Sequence, residues 1–146
     1  MRLVIQRVEN ASVDVDGKTV GSIGKGMLVL FGVHQEDVPS QTLWLASKLV
    51  NLRIFADAKD KMNLSLLDVQ GEVLIVSQFT LYGNCAEGRR PEFTASAPPE
   101  KAKALYEQFI KEVRAQKIKV ETGIFGARMR VSLVNDGPVT LLLDAK

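Results

Sequence analysis

The sequence has few residues of the kinds that usually carry metal or disulfide chemistry. Its 146 residues include one cysteine, Cys85, and one histidine, His34. A single cysteine excludes a disulfide within the chain and is typical of a reducing compartment, so we expect a cytoplasmic protein. One Cys and one His among scattered carboxylates form no ligand cluster, so neither a metal site nor a cofactor is predicted.

Long apolar runs and a large excess of charge are also missing. No stretch approaches the ~18 apolar residues that a membrane span needs, and residues 1–8 are typical of a strand and not of a secretion signal. The formal net charge is only +2, whereas proteins that hold long nucleic acids through phosphates are usually more basic. We therefore expect no membrane partner, and any contact with nucleic acid should be short or confined to one face.

The remaining composition is that of an ordinary globular protein. Apolar residues make up 46% of the chain and charged residues 25%, and we find no repeat or linker-like segment that would divide it. We therefore expect residues 1–146 to form one domain, long enough to bury roughly two-thirds of its unfolded surface.

The hydrophobic pattern predicts an α+β fold with two main helices. One helix should begin near Ser40 and the other near Pro98, each with apolar residues three or four positions apart. The strands should form mixed, largely antiparallel sheets covered by the helices on one side. Strands are expected at residues 2–8, 12–15, 18–20, 27–33, 53–55, 72–77, 128–133 and 139–143.

Polar residues stand at the end of the apolar strand predicted at residues 72–77. Residues 77–81 read Ser-Gln-Phe-Thr-Leu and precede a Tyr-Gly-Asn turn. Ser, Gln and Thr pack poorly at the mouth of a buried strand, but they can present hydroxyls, an amide and free backbone N–H groups to a ligand. We take this strand end as one half of a candidate site.

The second half is the stretch Asn-Asp-Gly-Pro-Val-Thr at residues 135–140. From spacing alone, residues 135–138 form a turn between two strands, in which Gly137 supplies a positive φ. Pro138 also removes a backbone donor, and an X-Pro bond can be cis, which turns consecutive carbonyls the same way. Such carbonyls would hold an ammonium group or form a steric wall.

Other candidate chemistry is weaker. A hydrolase with a side-chain nucleophile would use Ser77 or Thr80 with His34, but no Gly-x-Ser-x-Gly elbow surrounds either hydroxyl, and a lone histidine in a polar loop is usually a surface residue. Arg89, Arg90 and the face that carries Arg128 are most often solvated, and their functional alternative is contact with phosphates.

Three segments, in this order and spacing, resemble the D-aminoacyl-tRNA deacylases. They are residues 77–81, residues 88–93 (Gly-Arg-Arg-Pro-Glu-Phe) and residues 132–140 (Ser-Leu-Val-Asn-Asp-Gly-Pro-Val-Thr). Gln-Arg-Val at residues 6–8 and Gly-Ile-Phe-Gly-Ala-Arg-Met at residues 123–129 are similar too, and the resemblance runs from Met1 nearly to the C-terminus. One departure is Glu92, where the family pattern leads us to expect a small polar residue such as Ser.

The resemblance implies a homodimer with a compact three-layer β/β/α fold. It implies hydrolysis of the ester between a D-amino acid and the terminal adenosine of tRNA, some cleavage of glycyl-tRNA, and rejection of L-aminoacyl-tRNA. The partners would be a second subunit and the acceptor end of aminoacyl-tRNA, and the biological role would be chiral proofreading in translation.

The resemblance also implies a role for individual residues. The residues that line the catalytic pocket would be Ser77, Gln78, Phe79 and Thr80. Chiral selectivity would come from a Gly-cisPro motif that enters the site of the partner subunit, formed by Gly137 and Pro138 and fixed by Arg7. The terminal adenosine would contact Gln78, Phe125 and Met129. The candidate tRNA contacts are Arg89, Arg90 and Arg128.

This chemistry does not require a catalytic triad. An aminoacyl ester is already activated, and the ribose offers a neighbouring 2′-hydroxyl to assist water. The protein then has to position the ester and stabilise the oxyanion, for example with the N–H groups around Phe79 and Thr80. Three alternatives stay open: an esterase that uses His34, a non-catalytic module that binds RNA ends, and a relative of the editing domain of some archaeal threonyl-tRNA synthetases, which would prefer L-seryl-tRNA.

Overall fold

The structure, a computed structural model, describes residues 1–145. In chain order, its elements in that part are β1 (Arg2–Val15), β2 (Lys18–Ile23), β3 (Gly26–Gly32), α1 (Ser40–Asn51), β4 (Phe55–Ala56), β5 (Met62–Leu64), β6 (Glu72–Ser77), a 3₁₀ turn (Phe79–Tyr82), α2 (Pro99–Ala115), β7 (Lys119–Thr122) and β8 (Arg130–Asp144).

The main sheet is mixed and mostly antiparallel. Its strands follow the order β2-β1-β3-β6-β7, and β8 pairs with β1 as well. Strand β1 is antiparallel to β2, β3 and β8, whereas the β3–β6 and β6–β7 pairs are parallel. With two helices beside this sheet, the predicted α+β class is confirmed.

The two helices cover one face of the sheet. Their apolar stripes are buried as the spacing predicts, with Leu45 and Leu49 from α1 and Phe109 and Val113 from α2. The ring of Phe109 stacks on Phe31 of β3 at 4.8 Å between centroids. In the part of the chain that the structure describes, no helix is long and apolar enough to cross a membrane.

The sheet curls so that a second core forms on its other face. Strand β2 lies so close to β7 that a Cβ added to Gly21 would be 2.7 Å from the Thr122 carbonyl oxygen. The curled strands enclose an apolar cluster separate from the helix-covered core, formed by Val8, Ala11, Val13, Ile23, Leu28, Leu74 and Val76. The fold therefore consists of two layers of strands and one layer of helices.

The turn predicted at residues 135–138 is wrong. Strand β8 is continuous, and both of its halves pair with β1. Gln6 pairs with Thr140 and Val8 pairs with Asn135, so residues 136–139 bulge out opposite Arg7 alone. Gly137 is not among the described residues with a positive φ. Gly and Pro mark strand bulges as well as turns, so their presence alone did not distinguish the two.

Candidate active site

A cavity of about 830 Å³ opens where the parallel strands β3 and β6 end. Parallel strands bring their carboxyl ends to the same edge of a sheet, and the 3₁₀ turn, the start of α2 and the loop before β8 surround that edge. The wall is mainly apolar and aromatic; it includes Phe31, Val33, Val76, Tyr106, Pro98 and Val131. The volume is within the range of roughly 300–1,000 Å³ that is usual for small-molecule sites.

The cavity brings together residues that are distant in the sequence. Ser77, Gln78 and Phe79 line it from the end of β6, and Phe125 and Met129 line it from the loop before β8. Phe125 packs on Tyr106 of α2, with 5.9 Å between ring centroids. These five predicted residues therefore line the same cavity. The roles predicted for them stay predictions.

Two backbone donors stand free beside the cavity. The Gln78 N–H donates to the Phe31 carbonyl at 2.8 Å, which is the last bond of the β6 edge before the 3₁₀ turn begins. Within residues 1–145, the N–H groups of Phe79 and Thr80 have no acceptor. The first N–H groups of any helical turn lack a partner inside the turn, so these two can donate to a ligand oxygen.

Thr80 differs from the prediction. Among the described residues, it does not form part of the cavity wall, because the chain enters the 3₁₀ turn at Phe79 and the Thr80 side chain is exposed. Its hydroxyl instead accepts a hydrogen bond from the Gln78 side-chain amide. Thr80 therefore adjoins the cavity through Gln78.

His34 has partners other than a catalytic hydroxyl. Its Nδ1 accepts the Glu36 N–H at 3.2 Å, and its ring meets the edge of Tyr82 at 5.1 Å between centroids. No hydrogen bond joins His34 to Ser77 or Thr80 in the described chain. Burial raises the pKa of Tyr82 to about 12, so this phenol stays protonated at neutral pH. A Ser/Thr–His pair is therefore not assembled here.

Three residues of the cavity region were not predicted. Ser96 donates its hydroxyl to the Phe79 carbonyl at 2.8 Å, and the Phe93 ring meets the Phe79 ring edge-on at 5.1 Å. Tyr106 is buried and donates its hydroxyl to the Ile75 carbonyl at 2.8 Å, and burial raises the pKa of Tyr106. The length of the loop at residues 82–97 marked it as a functional candidate, but no periodicity shows which of its side chains turn inward.

The bulge in β8 is held by polar contacts on both sides. Arg7 Nε lies 2.9 Å from Asp136 Oδ2 and donates to the Asp136 carbonyl at 3.0 Å, while a second guanidinium nitrogen donates to the Ile54 carbonyl. The Asn135 side-chain amide donates to the carbonyls of Arg7 at 2.9 Å and Val139 at 3.1 Å. These bonds fix the ends of the bulge to β1.

The tip of the bulge is free of such contacts. Gly137 and Pro138 are exposed, and the peptide bond between them is cis. Within the described part of the protomer, Arg7, Gly137 and Pro138 do not line the cavity. The two halves of the predicted site therefore do not meet in one protomer.

The three predicted tRNA-contact residues are exposed. Arg89 and Arg90 lie on a loop that is closed by paired backbone hydrogen bonds between Asn84 and Glu92, at 2.8 and 2.9 Å. Glu92 also accepts the Thr94 hydroxyl at 2.6 Å, so this unexpected carboxylate serves the loop itself. Arg128 adjoins the cavity residue Met129. Residues 1–145 contain no group of three or more metal-ligating side chains.

Comparison with known proteins gives a consistent family. A family model described as D-Tyr-tRNA(Tyr) deacylase matches residues 4–144. The D-aminoacyl-tRNA deacylase of Thermosipho africanus is 63% identical over 146 residues, covering 100% of this chain and 98% of that protein. The D-aminoacyl-tRNA deacylase of Thermotoga petrophila is 58% identical over 145 residues, covering 99% of this chain and 97% of that protein.

Two solved structures are similar over nearly the whole chain. One, described as a c-Myc DNA unwinding element binding protein, has a TM-score of 0.93 and 39% identity, and covers 100% of this chain and 99% of its own. The other, described as a probable eukaryotic D-amino acid tRNA deacylase, has a TM-score of 0.82 and covers 97% of both chains. At 22% identity, this second likeness concerns the fold alone.

Proposed function

Because the chain belongs to the D-Tyr-tRNA(Tyr) deacylase family, we propose that it hydrolyses the ester between a D-amino acid and the terminal adenosine of tRNA in the cavity at the end of β6. The family assignment makes the chain a hydrolase of the D-aminoacyl-tRNA deacylase type. The observation that carries the location is the pair of free N–H groups, those of Phe79 and Thr80, beside an apolar cavity. The proposed substrate belongs to translation, so we expect the enzyme to work in the cytoplasm.

The cavity suits the end of an aminoacyl-tRNA. Its apolar walls can accept a flat adenine ring between Phe125 and Met129, and its polar edge at Ser77 and Gln78 can meet the ribose and ester oxygens. Such a division between apolar walls and a few placed polar groups is usual for small-molecule sites. The proposal assigns the adenosine to the Phe125 side and the ester to the strand end.

The proposed chemistry relies on positioning and on backbone donors. Water adds to the ester carbonyl carbon, and the oxyanion that forms accepts hydrogen bonds from the N–H groups of Phe79 and Thr80. The neighbouring 2′-hydroxyl of the ribose passes a proton from the water to the ester oxygen of the ribose. The bond to that oxygen then breaks and releases the amino acid and the tRNA. An oxyanion donor contributes about 3 kcal/mol to the stability of the transition state, so no side-chain nucleophile is required.

Chiral selection is proposed to come from the bulge of a second copy of the chain. Gly137 and Pro138 are exposed at the tip of a bulge that Arg7 and Asn135 hold rigidly, so their carbonyls can face the α-ammonium of an amino acid in a partner's cavity. An L side chain would then meet this wall and a D side chain would avoid it. Glycine has no side chain to reject, so we expect some cleavage of glycyl-tRNA.

A homodimer would place the bulge of one subunit at the cavity of the other. The open edge of the sheet at β8 supports such a dimer. In the described chain, β8 pairs with β1 alone, so its other edge is open. Three apolar side chains of β8 are exposed: Val134, Leu141 and Leu142. Open apolar edges readily pair with another chain. We propose that this edge lies in the subunit interface and brings each bulge to the partner's cavity.

The tRNA body is proposed to contact the exposed arginines. Arg89, Arg90 and Arg128 have no ion-pair partner within residues 1–145, so their charge is available to phosphates. Three phosphate contacts are compatible with the low net charge of +2 and with recognition of only the acceptor end. Each phosphate contact would add to the salt dependence of binding.

The proposal is tested by release of amino acid from D-tyrosyl-tRNA and L-tyrosyl-tRNA, measured side by side with purified protein. We expect fast cleavage of the D ester and no cleavage of the L ester above the spontaneous rate. Equal cleavage of both esters would contradict the chiral wall, and absence of cleavage by a folded dimer would contradict the enzymatic assignment.

A nucleic-acid-binding protein without catalysis is the second candidate. The observation that favours it is the 39%-identical solved relative that is described as a DNA unwinding element binding protein. Its expected signature is tight binding of tRNA acceptor stems or DNA with no release of amino acid. The same cleavage assay therefore separates the two candidates.

A further inference from the structure

The loop after Phe93 returns to the cavity and places a hydroxyl against the backbone carbonyl of Phe79. Ser96 Oγ donates to the carbonyl of Phe79 at 2.8 Å. Ser96 lines the cavity with Phe79 but belongs to a different part of the chain, seventeen residues further on. The bond therefore joins the 3₁₀ turn to the loop that leads into α2.

The backbone on both sides of Ser96 is fixed, so its hydroxyl is held in place. The Ser96 N–H donates to the Phe93 carbonyl at 3.0 Å, and the Ala97 N–H donates to the Val33 carbonyl at 2.9 Å. One residue earlier, the Ala95 carbonyl accepts the Gln35 N–H at 3.0 Å. The segment at residues 95–97 is thus attached to Val33 and Gln35, which follow β3 and line the same cavity.

The carbonyl that Ser96 holds is in the same peptide unit as a proposed oxyanion donor. A peptide unit is planar and almost always trans, so the direction of the Phe79 C=O determines the direction of the Thr80 N–H on the other side of the unit. A hydrogen bond to a carbonyl also polarises the amide and strengthens its N–H as a donor. The Thr80 N–H has no acceptor within the described chain.

We propose that Ser96 is a positioning residue for ester hydrolysis, whose hydroxyl acts through the Phe79 carbonyl to aim the Thr80 N–H at the developing oxyanion. This inference rests on the proposed function. Ser96 acts on the chemical step, and it contributes little to the binding of the aminoacyl-tRNA.

The chain offers a matched control outside the cavity. Thr19 of β2 is not a residue of the cavity wall, and its hydroxyl donates to Asp14 Oδ1 at 2.7 Å. Replacing Ser96 or Thr19 by Ala removes one hydrogen-bonded hydroxyl in each case. Ser96→Thr keeps the hydroxyl and adds a methyl group at a partly exposed position.

The test is single-turnover hydrolysis of D-tyrosyl-tRNA over a range of excess enzyme, which separates the rate constant at saturation from the enzyme concentration that gives half of it. The net contribution of one hydrogen bond is modest, so we expect Ser96→Ala to lower the saturating rate constant about three- to tenfold. The half-saturating concentration should change less than about twofold. Ser96→Thr and Thr19→Ala should stay within about twofold of wild type in both quantities.

Three results would overturn the inference: an unchanged rate constant for Ser96→Ala, an equal loss for Thr19→Ala, or a loss confined to the half-saturating concentration. Failure of Ser96→Thr to restore the rate would count against it as well. If Ser96→Ala does not fold, Ser96→Cys takes its place with the same expected loss, because a thiol is a weak donor. Inactive wild-type protein would contradict the proposed function itself, whereas active wild type with an equally active Ser96→Ala variant would contradict only the role of Ser96.

Discussion

The cavity at the end of β6 and the bulge in β8 are built in opposite ways. The cavity is concave and mainly apolar, and strands, helix and loops of one protomer complete its walls. The bulge is convex and exposed, and polar bonds from Arg7 and Asn135 hold it to β1. Packing of side chains forms the cavity. The bulge is a rigid projection whose tip does not reach the cavity of its own chain.

This difference explains how one short chain can make a selective site. Packing supplies the binding volume, but the hydrophobic effect behind it is non-directional, so apolar walls alone do not hold an α-ammonium group in one orientation. In the proposed dimer, the rigid bulge of a second copy would add the directional element. The two largest effects are expected from changing one of these two regions while the other stays intact.

The largest effect is expected from filling the cavity. Ala127→Trp puts an indole into the wall next to Phe125 and Met129, where it would exclude the terminal adenosine that we propose to bind there. We expect the kcat/KM for D-tyrosyl-tRNA to fall more than about 100-fold, a loss of about 3 kcal/mol in transition-state stabilisation. Steady-state hydrolysis measures it, with Ala58→Trp, on an exposed turn away from the cavity, as the control. An unchanged kcat/KM in a folded Ala127→Trp variant would show that the cavity is not the substrate site.

The second effect is expected from releasing the bulge. Arg7→Ala removes the bonds to Asp136 and to the Ile54 carbonyl, and hydrogen bonds to charged groups are worth about 1.5–3 kcal/mol. We expect cleavage of D-tyrosyl-tRNA to fall about 10- to 100-fold and the ratio of D to L cleavage to shrink.

The control for the bulge is Arg2→Ala, which removes a bidentate bond to Asp144 between the same two strands, at 2.7 and 3.2 Å. Its D-to-L ratio should stay within about twofold of wild type, because the bond lies away from the bulge. An unchanged ratio in Arg7→Ala, with folding and dimerisation intact, would separate Arg7 from chiral selection.

A small effect is expected from removing the side chains that a nucleophilic mechanism would need. The Thr80 hydroxyl accepts one hydrogen bond from Gln78, and His34 contacts neither hydroxyl of the strand end. We expect Thr80→Ala and His34→Ala each to keep at least about one-fifth of the wild-type kcat. A loss of more than about 100-fold in either folded variant would favour a side-chain nucleophile over water.

The smallest effect is expected on stability, from Glu72 at the start of β6 and opposite the cavity end of the strand. Lys119, by its hydrogen bond, and then the Gly24 N–H lower the pKa of Glu72. A carboxylate whose pKa is lowered by folding stabilises the protein above its unfolded pKa, and this contribution is lost as the pH falls through the folded value. Glu72→Gln should therefore cost about 1 kcal/mol or less at pH 7.

The difference between Glu72→Gln and wild type should disappear as the pH drops below the ordinary value of 4.5. Urea unfolding at neutral and acidic pH measures the free energy, and the hydrolysis rate at pH 7 should not change. A stability difference that grows in acid would contradict the assigned direction of the pKa.

Sequence patterns predicted the regular elements better than the site. Leu45, Leu49 and Phe109 lie on their predicted helix faces because a helix repeats every 3.6 residues whatever its partners are. The polar end of β6 was recognisable because Ser77 and Gln78 interrupt an apolar run. Local periodicity was sufficient for both.

The bulge in β8 and the position of Ser96 could not be predicted, because both depend on contacts between residues that are distant in the sequence. Residues 135–138 were predicted as a turn because Gly and Pro favour one locally, but both halves of β8 pair with β1 and turn the segment into a bulge. Ser96 faces Phe79 because a bridge between His34 and Ser96 draws the loop inward. No spacing within the loop could have predicted that contact.

The most direct test of the central claim is activity in mixed dimers, purified with two different affinity tags. If each cavity works with the bulge of the other subunit, a dimer of one Ala127→Trp subunit and one Arg7→Ala subunit keeps one intact site. It should then show about half of the wild-type cleavage of D-tyrosyl-tRNA. A dimer of one wild-type subunit and one subunit with both substitutions should show no more than the residual Arg7→Ala activity. The reverse pattern would place the cavity and its bulge in the same subunit and contradict the account.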